Sequence, residues 1–583
     1  FQCGFYTVLL LLNITTCVVS VIVYTENGAL NGTVYTTPRG RTLLAYFGVP
    51  YAKPPTGSRR FREPEPVEPW EGIRSARHFG SDCIQYSYYH VRSPDPTNGD
   101  EDCLYLNIFT PSVSLSSKLN VIFFIHGGGF MFGAGRNIPK FILDNNDFVY
   151  VTVNYRLGPF GFLSTEDEVI PGNNGLKDQA LALKWVHDNI GRFGGDINKI
   201  TVAGLSAGGA SVHLHFLSQK TRQLFHQGIS ISGSAFCPWV FAENSRSKAE
   251  ILARSVNCPT SDSNLLLECL QEVPAQNLLL RLEELFTPWF LNPFSPFGVV
   301  VESNHSGAFL SKTPYQLISE GDIKDAPWLV SFTTEEGIFP AATFIKNSTL
   351  LQELDEHWNT IAPYLLDYNN TVPPDLRTNV SEQVRTFYFR NKTIDFESRR
   401  ELIGMLSDRL FKVGIESAAR MQASASKSPV YVYSFGYRGK YSIGDWFCKC
   451  KDDLGVGHAD DLIYLLRMGS DELSPLETEE DRRMIWKMVD LWSSFIQTGE
   501  PSVGPDIPWI PVTPGGKNLS FMLISSSRNL TMSSTADFGN RAFWDSQPIH
   551  ELGFKSGQEV HRIHLLCLAI PLFFLIKCFR GIH

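Results

Sequence analysis

The stretch KITVAGLSAGGASVHLHFLS, residues 199–218, joins a β-branched apolar run to a helical pattern through a glycine-framed serine. Gly204, Ser206 and Gly208 form a GxSxG pattern at that junction. A strand, a tight turn and a helix in this order hold the serine backbone in a crowded conformation, so glycine is needed wherever a Cβ would collide. We predict that the Ser206 hydroxyl projects from the end of a strand as a nucleophile. A GxSxG pattern also occurs in incidental turns, so its neighbours must decide.

Short β-branched runs recur along the chain with helical patterns between them. They cover residues 119–127, 148–155, 199–206, 227–234, 327–336 and 429–437. Near-continuous apolar runs are typical of strands buried on both faces of a parallel sheet. The clearest helical pattern covers 174–193, with Asn173 and Asn174 as candidate caps. The alternation predicts an α/β fold, in which a large, mostly parallel central sheet carries helices on both faces.

The organisation of the chain follows from the same pattern. Residues 20–48 predict turn-linked antiparallel strands, which form a small N-terminal edge of the sheet. No linker or low-complexity stretch divides residues 24–549, so we predict a single domain there. The interval 338–426 is mainly helical by pattern and is predicted to cover the working edge of the sheet.

A glycine run, HGGGF at residues 126–130, follows the apolar run VIFFI. Consecutive glycines allow several backbone N–H groups to point into one small volume. Gly128, Gly129 and Ala207 are therefore predicted to surround the oxyanion of a tetrahedral intermediate. The alternative is a flexible turn, but the position after a strand and upstream of Ser206 favours the catalytic interpretation.

Two further groups complete a catalytic set. His458 lies late in the chain between Gly457 and Ala459, and an imidazole suits general base and then general acid work. Glu336 ends the run PWLVSFTTEE and is predicted to accept the imidazole Nδ1–H. Glu335 is the competing candidate and is interpreted as a solvated neighbour. The chain order Ser206, Glu336, His458 is that of an α/β-hydrolase.

The sequence resembles the type-B carboxylesterase and cholinesterase family over about residues 24–549. The motifs that carry the resemblance are HGGGF, EDCLYLNIF (101–109), NYRLGPFGFL (154–163), PGNNGLKDQ (171–179), WVHDNIGRFGGD (185–196) and GLSAGG (204–209). GLSAGGASVHLHFLS, TTEEGIFPAA and RAFWDSQPIH are most similar to the insect-type carboxylesterases. The resemblance implies Ser206, Glu336 and His458 as the catalytic triad and Gly128, Gly129 and Ala207 as oxyanion donors. It also implies disulfides between Cys83 and Cys103 and between Cys258 and Cys269, whereas Cys237, Cys448 and Cys450 stay unassigned.

Departures from the cholinesterases narrow the expected substrate. Those enzymes carry Glu before the nucleophile and a Trp in the first disulfide loop, whereas this chain has Leu205 and no Trp between residues 83 and 103. The cation site is therefore predicted to be absent, and the substrate to be an uncharged carboxylic ester. Residues 286–302 bring aromatic side chains that form either an apolar acyl site or core. The alternatives are a hormone or pheromone esterase of the same family and a catalytically silent adhesion or scaffold relative.

Composition and the two ends bear on location and partners. The formal charge is −9 without a long basic stripe, which argues against a nucleic-acid partner, and no cysteine or histidine spacing predicts a metal or cofactor site. Residues 1–22 resemble a signal peptide, so we expect secretion. The tail 550–583 contains LLCLAIPLFFLI, and a membrane anchor there is the less favoured interpretation because the chain ends KCFRGIH. No oligomeric state is predicted. Candidate glycosylation sites are Asn31, Asn304, Asn347, Asn369, Asn379, Asn391, Asn518 and Asn529.

Overall fold

An 11-stranded mixed sheet forms the centre of the protein. The computed structural model describes residues 21–86, 96–286, 296–449, 452–468, 475–505 and 507–551. The predictions for a signal peptide over 1–22 and for a C-terminal tail over 550–583 fall almost wholly outside these residues. The strands within them are β1 (Ile22–Tyr24), β2 (Ala29–Asn31), β3 (Thr33–Thr36), β4 (Thr42–Pro50), β5 (Ile73–Ser75), β6 (Gln85–Tyr86), β7 (Thr97–Asn98), β8 (Tyr105–Thr110), β9 (Leu119–Ile125), β10 (Phe148–Val153), β11 (Gly195–Leu205), β12 (Gln227–Ile231), β13 (Trp328–Thr333), β14 (Val430–Phe435), β15 (Leu519–Ile524) and β16 (Leu530–Thr535).

The strand order of the large sheet is β16-β15-β14-β13-β12-β11-β9-β10-β8-β4-β3. All neighbours from β10 to β15 pair in parallel, and only the strands at the two edges pair antiparallel. The predicted mostly parallel sheet is confirmed. The order reverses at β9, which lies between β10 and β11, and the carboxyl ends of strands at such a switch point form a crevice suited to a ligand.

The N-terminal edge differs in part from the prediction. β3 and β4 are antiparallel and join the large sheet through β8. β1 and β2 instead leave it and form a separate three-stranded sheet with β5. The chain turns between β2 and β3 at Gly32, where a Cβ would lie 2.7 Å from the carbonyl oxygen of Ala45. The antiparallel pair β15 and β16 at the opposite edge was not predicted.

Helices cover both faces of the sheet, as predicted. The alternation along β9 shows this, because Val121, Phe123 and Ile125 belong to one hydrophobic cluster and Ile122 and Phe124 to another. The helices are α1 (Gly158–Phe162), α2 (Asn174–Asn189), α3 (Ala207–Leu217), α4 (Ser245–Ser255), α5 (Ser263–Glu272), α6 (Ala275–Leu280), α7 (Pro314–Ser319), α8 (Ile338–Ile345), α9 (Ser348–Glu356), α10 (Trp358–Leu365), α11 (Arg377–Phe389), α12 (Arg399–Ser407), α13 (Val413–Ala425), α14 (Ile443–Cys448), α15 (Glu479–Thr498) and α16 (Arg541–Asp545).

The first cluster contains residues of α2, α3 and α13, and the second contains residues of α15. A π-helical turn, Asp408–Lys412, joins α12 to α13. In the described part of the chain, no helix combines the length and apolar character that crossing a membrane requires.

The helix predicted over 174–193 is α2 followed by a tight 3₁₀ turn that ends at Phe193. Asn173 takes the N-cap position, but its side chain makes no capping bond. Its amide instead donates to the carbonyl oxygen of Val300 and to Glu302 Oε1, each at 2.8 Å. The residue therefore ties the start of α2 to a distant segment rather than capping the helix.

Candidate active site

Ser206 occupies the sharp corner between β11 and α3. Its backbone has φ 58° and ψ −118°, a conformation that L-residues rarely adopt and that costs about 1–3 kcal/mol. The neighbouring glycines allow the corner to form: a Cβ on Gly204 would lie 2.4 Å from the Gly208 carbonyl oxygen, and one on Gly233 2.2 Å from the Ser206 carbonyl oxygen. The Ser206 N–H donates to the Ile231 carbonyl oxygen at 2.7 Å, which fixes the corner to β12.

Ala207 is the first residue of α3, directly after Ser206. The first N–H groups of a helix have no acceptor within it, and they carry the positive end of the helix dipole. Such groups are suited to an anionic oxygen at this position. Ala207 is fully buried, so any charge that it stabilises is shielded from water.

The glycine run follows β9 and lies against the Ser206 corner. A Cβ on Gly127 would lie 3.0 Å from the Ser206 Cβ, which places the two loops side by side. Gly128 has φ 110° and Gly129 has φ 59°. A Cβ on Gly128 would be only 1.9 Å from the Phe132 carbonyl oxygen, so this loop conformation excludes any larger residue there.

His126 holds the glycine run in place through its side chain, a role that the sequence did not predict. Its ring stacks on Tyr155 with centroids 4.4 Å apart, and its Nδ1 lies 2.7 Å from the Gly127 carbonyl oxygen. The Tyr155 hydroxyl donates to the His126 carbonyl oxygen at 3.0 Å. Burial lowers the pKa of His126 to about 4, so its ring is neutral near pH 7.

Glu336 and His458 are in direct contact. His458 Nδ1 lies 2.5 Å from Glu336 Oε2, and both side chains are buried. The other carboxylate oxygen, Oε1, accepts from the Ser232 hydroxyl at 2.5 Å and from the Thr333 N–H at 2.7 Å. The carboxylate is thus oriented by donors from the ends of β12 and β13. Ser232, which also has a positive φ of 51°, was missed by sequence reasoning because it lies outside any motif.

Ser206, the glycine run and the Glu336–His458 pair meet at the carboxyl ends of the parallel strands. Ser206 follows β11, Ser232 follows the adjacent β12, and Glu336 comes soon after β13. Among the described residues, no hydrogen bond joins the Ser206 hydroxyl to His458. Without substrate, hydrogen bonds of this kind are often long and tighten only in the complex.

Aromatic rings surround His458. Phe411, in the π-helical turn, has its ring centroid 4.9 Å from that of His458, and Phe339 has its centroid at 5.5 Å. The ring centroid of Phe411 lies 6.0 Å from that of Trp239, and the Trp239 centroid lies 6.4 Å from that of Phe130 in the glycine run. The site therefore has an apolar wall. Of the aromatic stretch over 286–302, residues 287–295 lie outside the described residues.

Two aspartates follow His458 in the sequence and were also missed. Asp461 Oδ2 accepts from the Tyr433 hydroxyl at 2.8 Å and from the Ser331 hydroxyl at 3.3 Å. Burial raises the pKa of Asp461 to about 6, and the nearby negative charge of Glu336 acts in the same direction. Burial likewise raises the pKa of Asp460 to about 7.

The structure shows the state of the cysteines and the exposure of the candidate glycosylation sites. Cys83 is bonded to Cys103 and Cys258 to Cys269. Cys448 is disulfide-bonded, Cys450 lies outside the described residues, and Cys237 is a buried free thiol. None of the eight candidate glycosylation sites is buried: two are half-buried, Asn31 and Asn369, and six are exposed, Asn304, Asn347, Asn379, Asn391, Asn518 and Asn529.

One group within the described residues, Glu63, Glu302 and His305, has ligand atoms close enough for a metal ion. The Lys177 ammonium lies 2.9 Å from Glu63 and 2.6 Å from Glu302. Because this buried cation already bridges the two carboxylates, the arrangement is that of an ion-pair network.

Known proteins share this architecture. The family described as "Carboxylesterase family" matches residues 19–544. Venom carboxylesterase-6 of Apis mellifera is 39% identical over 532 residues, which cover 91% of this chain and 94% of that protein. Juvenile hormone esterase of Tribolium castaneum is 35% identical over 506 residues, covering 84% and 85%.

A solved structure is similar as well: juvenile hormone esterase from Manduca sexta with OTFP covalently attached superposes with a TM-score of 0.79 at 28% identity, covering 90% of this chain and 99% of that one. The family match spans nearly all of the described chain. The chain therefore belongs to the carboxylesterase family, and it is an ester hydrolase with the α/β-hydrolase fold.

Proposed function

We propose that the protein is a secreted serine carboxylesterase that hydrolyses uncharged carboxylic esters through an acyl-enzyme on Ser206. The observation that carries the proposal is the strained Ser206 corner beside the glycine run, at the edge where Glu336 holds His458. The Nδ1–H of His458 donates to Glu336, so Nε2 is the atom available to act as a base.

In the first half-reaction, the Ser206 oxygen attacks the ester carbonyl while His458 Nε2 takes the hydroxyl proton. The N–H groups of Gly128, Gly129 and Ala207 stabilise the oxyanion, and each such donor typically contributes about 3 kcal/mol. The bond to the alkoxy oxygen then breaks, and His458 protonates the departing alcohol. A water attacks the acyl-enzyme in the same way and releases the acid.

The surroundings of the site support an uncharged substrate. Leu205, which is buried, precedes the nucleophile where cholinesterases carry a carboxylate. The wall of Phe339, Phe411 and Trp239 is apolar, and burial of apolar surface favours an apolar acyl or alkyl group by about 25 cal/mol per Å².

Secretion is supported by the disulfides Cys83–Cys103 and Cys258–Cys269 and by asparagine sequons that are not buried. We further propose that residues 1–22 are a signal peptide and that residues 24–549 form a single α/β-hydrolase domain. Residues 550–583 are a C-terminal tail, for which a membrane anchor is the less favoured interpretation.

The test is hydrolysis of 4-nitrophenyl butyrate by purified Ser206→Ala protein. Ser218→Ala is the matched control, because Ser218 is a buried serine at the other end of α3 whose hydroxyl donates to the Phe309 carbonyl oxygen. We expect Ser206→Ala to lose at least about 10³-fold in kcat and Ser218→Ala to keep activity. Equal activities would overturn the proposed mechanism, and a wild-type protein inert toward all esters would support the silent-relative alternative.

Hydrolysis of a hormone-type ester is a second candidate. It is favoured by the similarity to two juvenile hormone esterases, one of which carries a covalently attached compound. Competition between a short 4-nitrophenyl ester and a long terpenoid methyl ester would separate the two candidates. A kcat/KM for the methyl ester well above that for the short ester would establish the second.

A further inference from the structure

Glu335, the neighbour of Glu336, holds the backbone of the loop that carries His458. The sequence predicts a solvated neighbour, and in the structure the residue is half-buried. Its Oε2 accepts from the Val456 N–H at 2.8 Å, and its own N–H donates to the Val456 carbonyl oxygen at 3.0 Å. The Thr334 hydroxyl donates to the same carboxylate oxygen at 2.6 Å.

The contact between Glu335 and the loop depends on a close approach at Gly455. This glycine has φ 107°, and a Cβ on it would lie 2.6 Å from Glu335 Oε2. A larger residue at this position would push the carboxylate away from Val456. The loop is thus shaped to receive the Glu335 side chain.

The loop before His458 contains no helix or strand from residue 452 to 457, so its position depends on such contacts. Between Val456 and His458, the Gly457 N–H donates to Asp460 Oδ2 at 2.7 Å. The other oxygen of this carboxylate, Oδ1, accepts from the Ile443 N–H at 2.6 Å. Val456 and His458 are two residues apart, so Glu335 and Glu336 hold one loop at its backbone and at its imidazole.

We propose that Glu335 is a positioning residue for the reaction. By hydrogen bonding to Val456, it fixes the position of the His458 imidazole relative to the carboxyl ends of the strands. Its effect on turnover rests on the proposed function. A displacement of a catalytic group by about 1 Å costs on the order of 10²-fold in rate. Loss of the contact should therefore lower kcat more than it raises KM.

The experiment compares Glu335→Ala with Asp325→Ala. Asp325 makes the same kind of contact at the opposite end of β13, where its Oδ1 accepts from the Ser428 N–H at 2.8 Å and the Lys427 N–H at 3.1 Å. We expect Glu335→Ala to lower kcat on 4-nitrophenyl butyrate about 10- to 100-fold with KM within about twofold. Asp325→Ala should keep kcat within about twofold of wild type.

Two conservative variants keep the test decisive if Glu335→Ala folds poorly. Glu335→Gln retains an oxygen that can accept from Val456 and should recover most of kcat. Glu335→Asp keeps the charge but is one methylene shorter, so it should remain impaired. Full activity of Glu335→Asp, or equal losses in Glu335→Ala and Asp325→Ala, would overturn the proposal.

A second readout does not depend on turnover. The hydrogen-bonded His458 Nδ1–H should give a low-field proton NMR signal, recorded in protein that carries Ser206→Ala. We expect Glu335→Ala to shift or broaden this signal and Asp325→Ala to leave it in place. An unchanged signal in Glu335→Ala would contradict the positioning role, whereas hydrolysis that does not depend on Ser206 would contradict the proposed function alone.

Discussion

Glu336 uses its two oxygens differently, one for the His458 imidazole and one for two donors. The donors are the Ser232 hydroxyl at 2.5 Å and the Thr333 N–H at 2.7 Å. A buried carboxylate that loses a donor is free to rotate. The donors therefore control how well Glu336 fixes the imidazole.

Ser232→Ala should lower kcat about tenfold and leave KM nearly unchanged, since a hydrogen bond to a charged group contributes about 1.5–3 kcal/mol. Steady-state kinetics on 4-nitrophenyl butyrate measures this. Ser230→Ala, in β12 just before Ser232, is the control, because the Ser230 hydroxyl donates to the Gly209 carbonyl oxygen and accepts from the Trp328 Nε1–H instead. Matching losses in the two variants would show that Ser232 serves packing only.

The sequence distinguishes Glu336 from Glu335 but does not predict the contact that Glu335 makes. The choice of Glu336 rested on its place before Gly337, and the structure puts Glu336 against His458. The contact of Glu335 with Val456 joins residues 121 positions apart. Local pattern carries no information on such a pairing, which is also why Ser232 and Asp461 were missed.

At the scale of elements, a buried ion pair joins the segment after β10 to α2. Arg156 Nε and Nη2 each donate to the Asp178 carboxylate at 2.7 Å, and both residues are buried. The Arg156 N–H adds a third bond at 3.0 Å. The pair thus fixes α2 to the segment that follows β10.

Asp178→Asn should lower the free energy of unfolding by about 3–5 kcal/mol, because it leaves the buried Arg156 without its counter-charge. Urea unfolding measures the change. The control is Asp188→Asn on the same helix, where the pair with Lys184 is largely exposed and contributes at most about 0.5 kcal/mol. Similar losses from both substitutions would contradict the account.

The elements themselves were largely predictable. The six β-branched runs became β9 to β14 because apolar runs of this length are stable only when a sheet buries both faces. β16 was missed because it is the edge strand and only its first residue, Leu530, is buried, whereas β15 was missed although its run LSFMLI is largely buried. β1 and β2 were placed in the wrong sheet because pairing partners distant in sequence leave no local trace.

At the scale of the whole molecule, a fully buried histidine links stability to pH. His213 lies in α3, its ring stacks on Trp328 with centroids 4.5 Å apart, and burial lowers its pKa to about 3. An unfolded histidine has a pKa near 6.5. Below pH 6.5 the histidine is protonated in the unfolded chain but stays neutral in the folded chain. The stability contributed by the neutral ring therefore falls as pH falls from 6.5 towards 3.

His213→Phe should remove this dependence while keeping a ring against Trp328. Relative to the variant, wild type should lose up to about 1.4 kcal/mol of unfolding free energy for each pH unit below 6.5. Urea unfolding at pH 8, 6 and 5 measures the difference. The value at pH 8 reports packing and the lost hydrogen bond from the Ala235 N–H to His213 Nδ1, because the ring is then neutral in both states. A difference that is constant with pH would contradict the prediction.

We propose that Ser206 carries the covalent intermediate. The most direct measurement is reaction of the intact protein with diethyl 4-nitrophenyl phosphate, followed by peptide mass spectrometry and an assay of residual activity. The Ser206 oxygen should displace 4-nitrophenol and retain one diethyl phosphoryl group, with activity lost in proportion to labelling. Label on any other residue, or ester hydrolysis that persists in fully labelled protein, would contradict the claim.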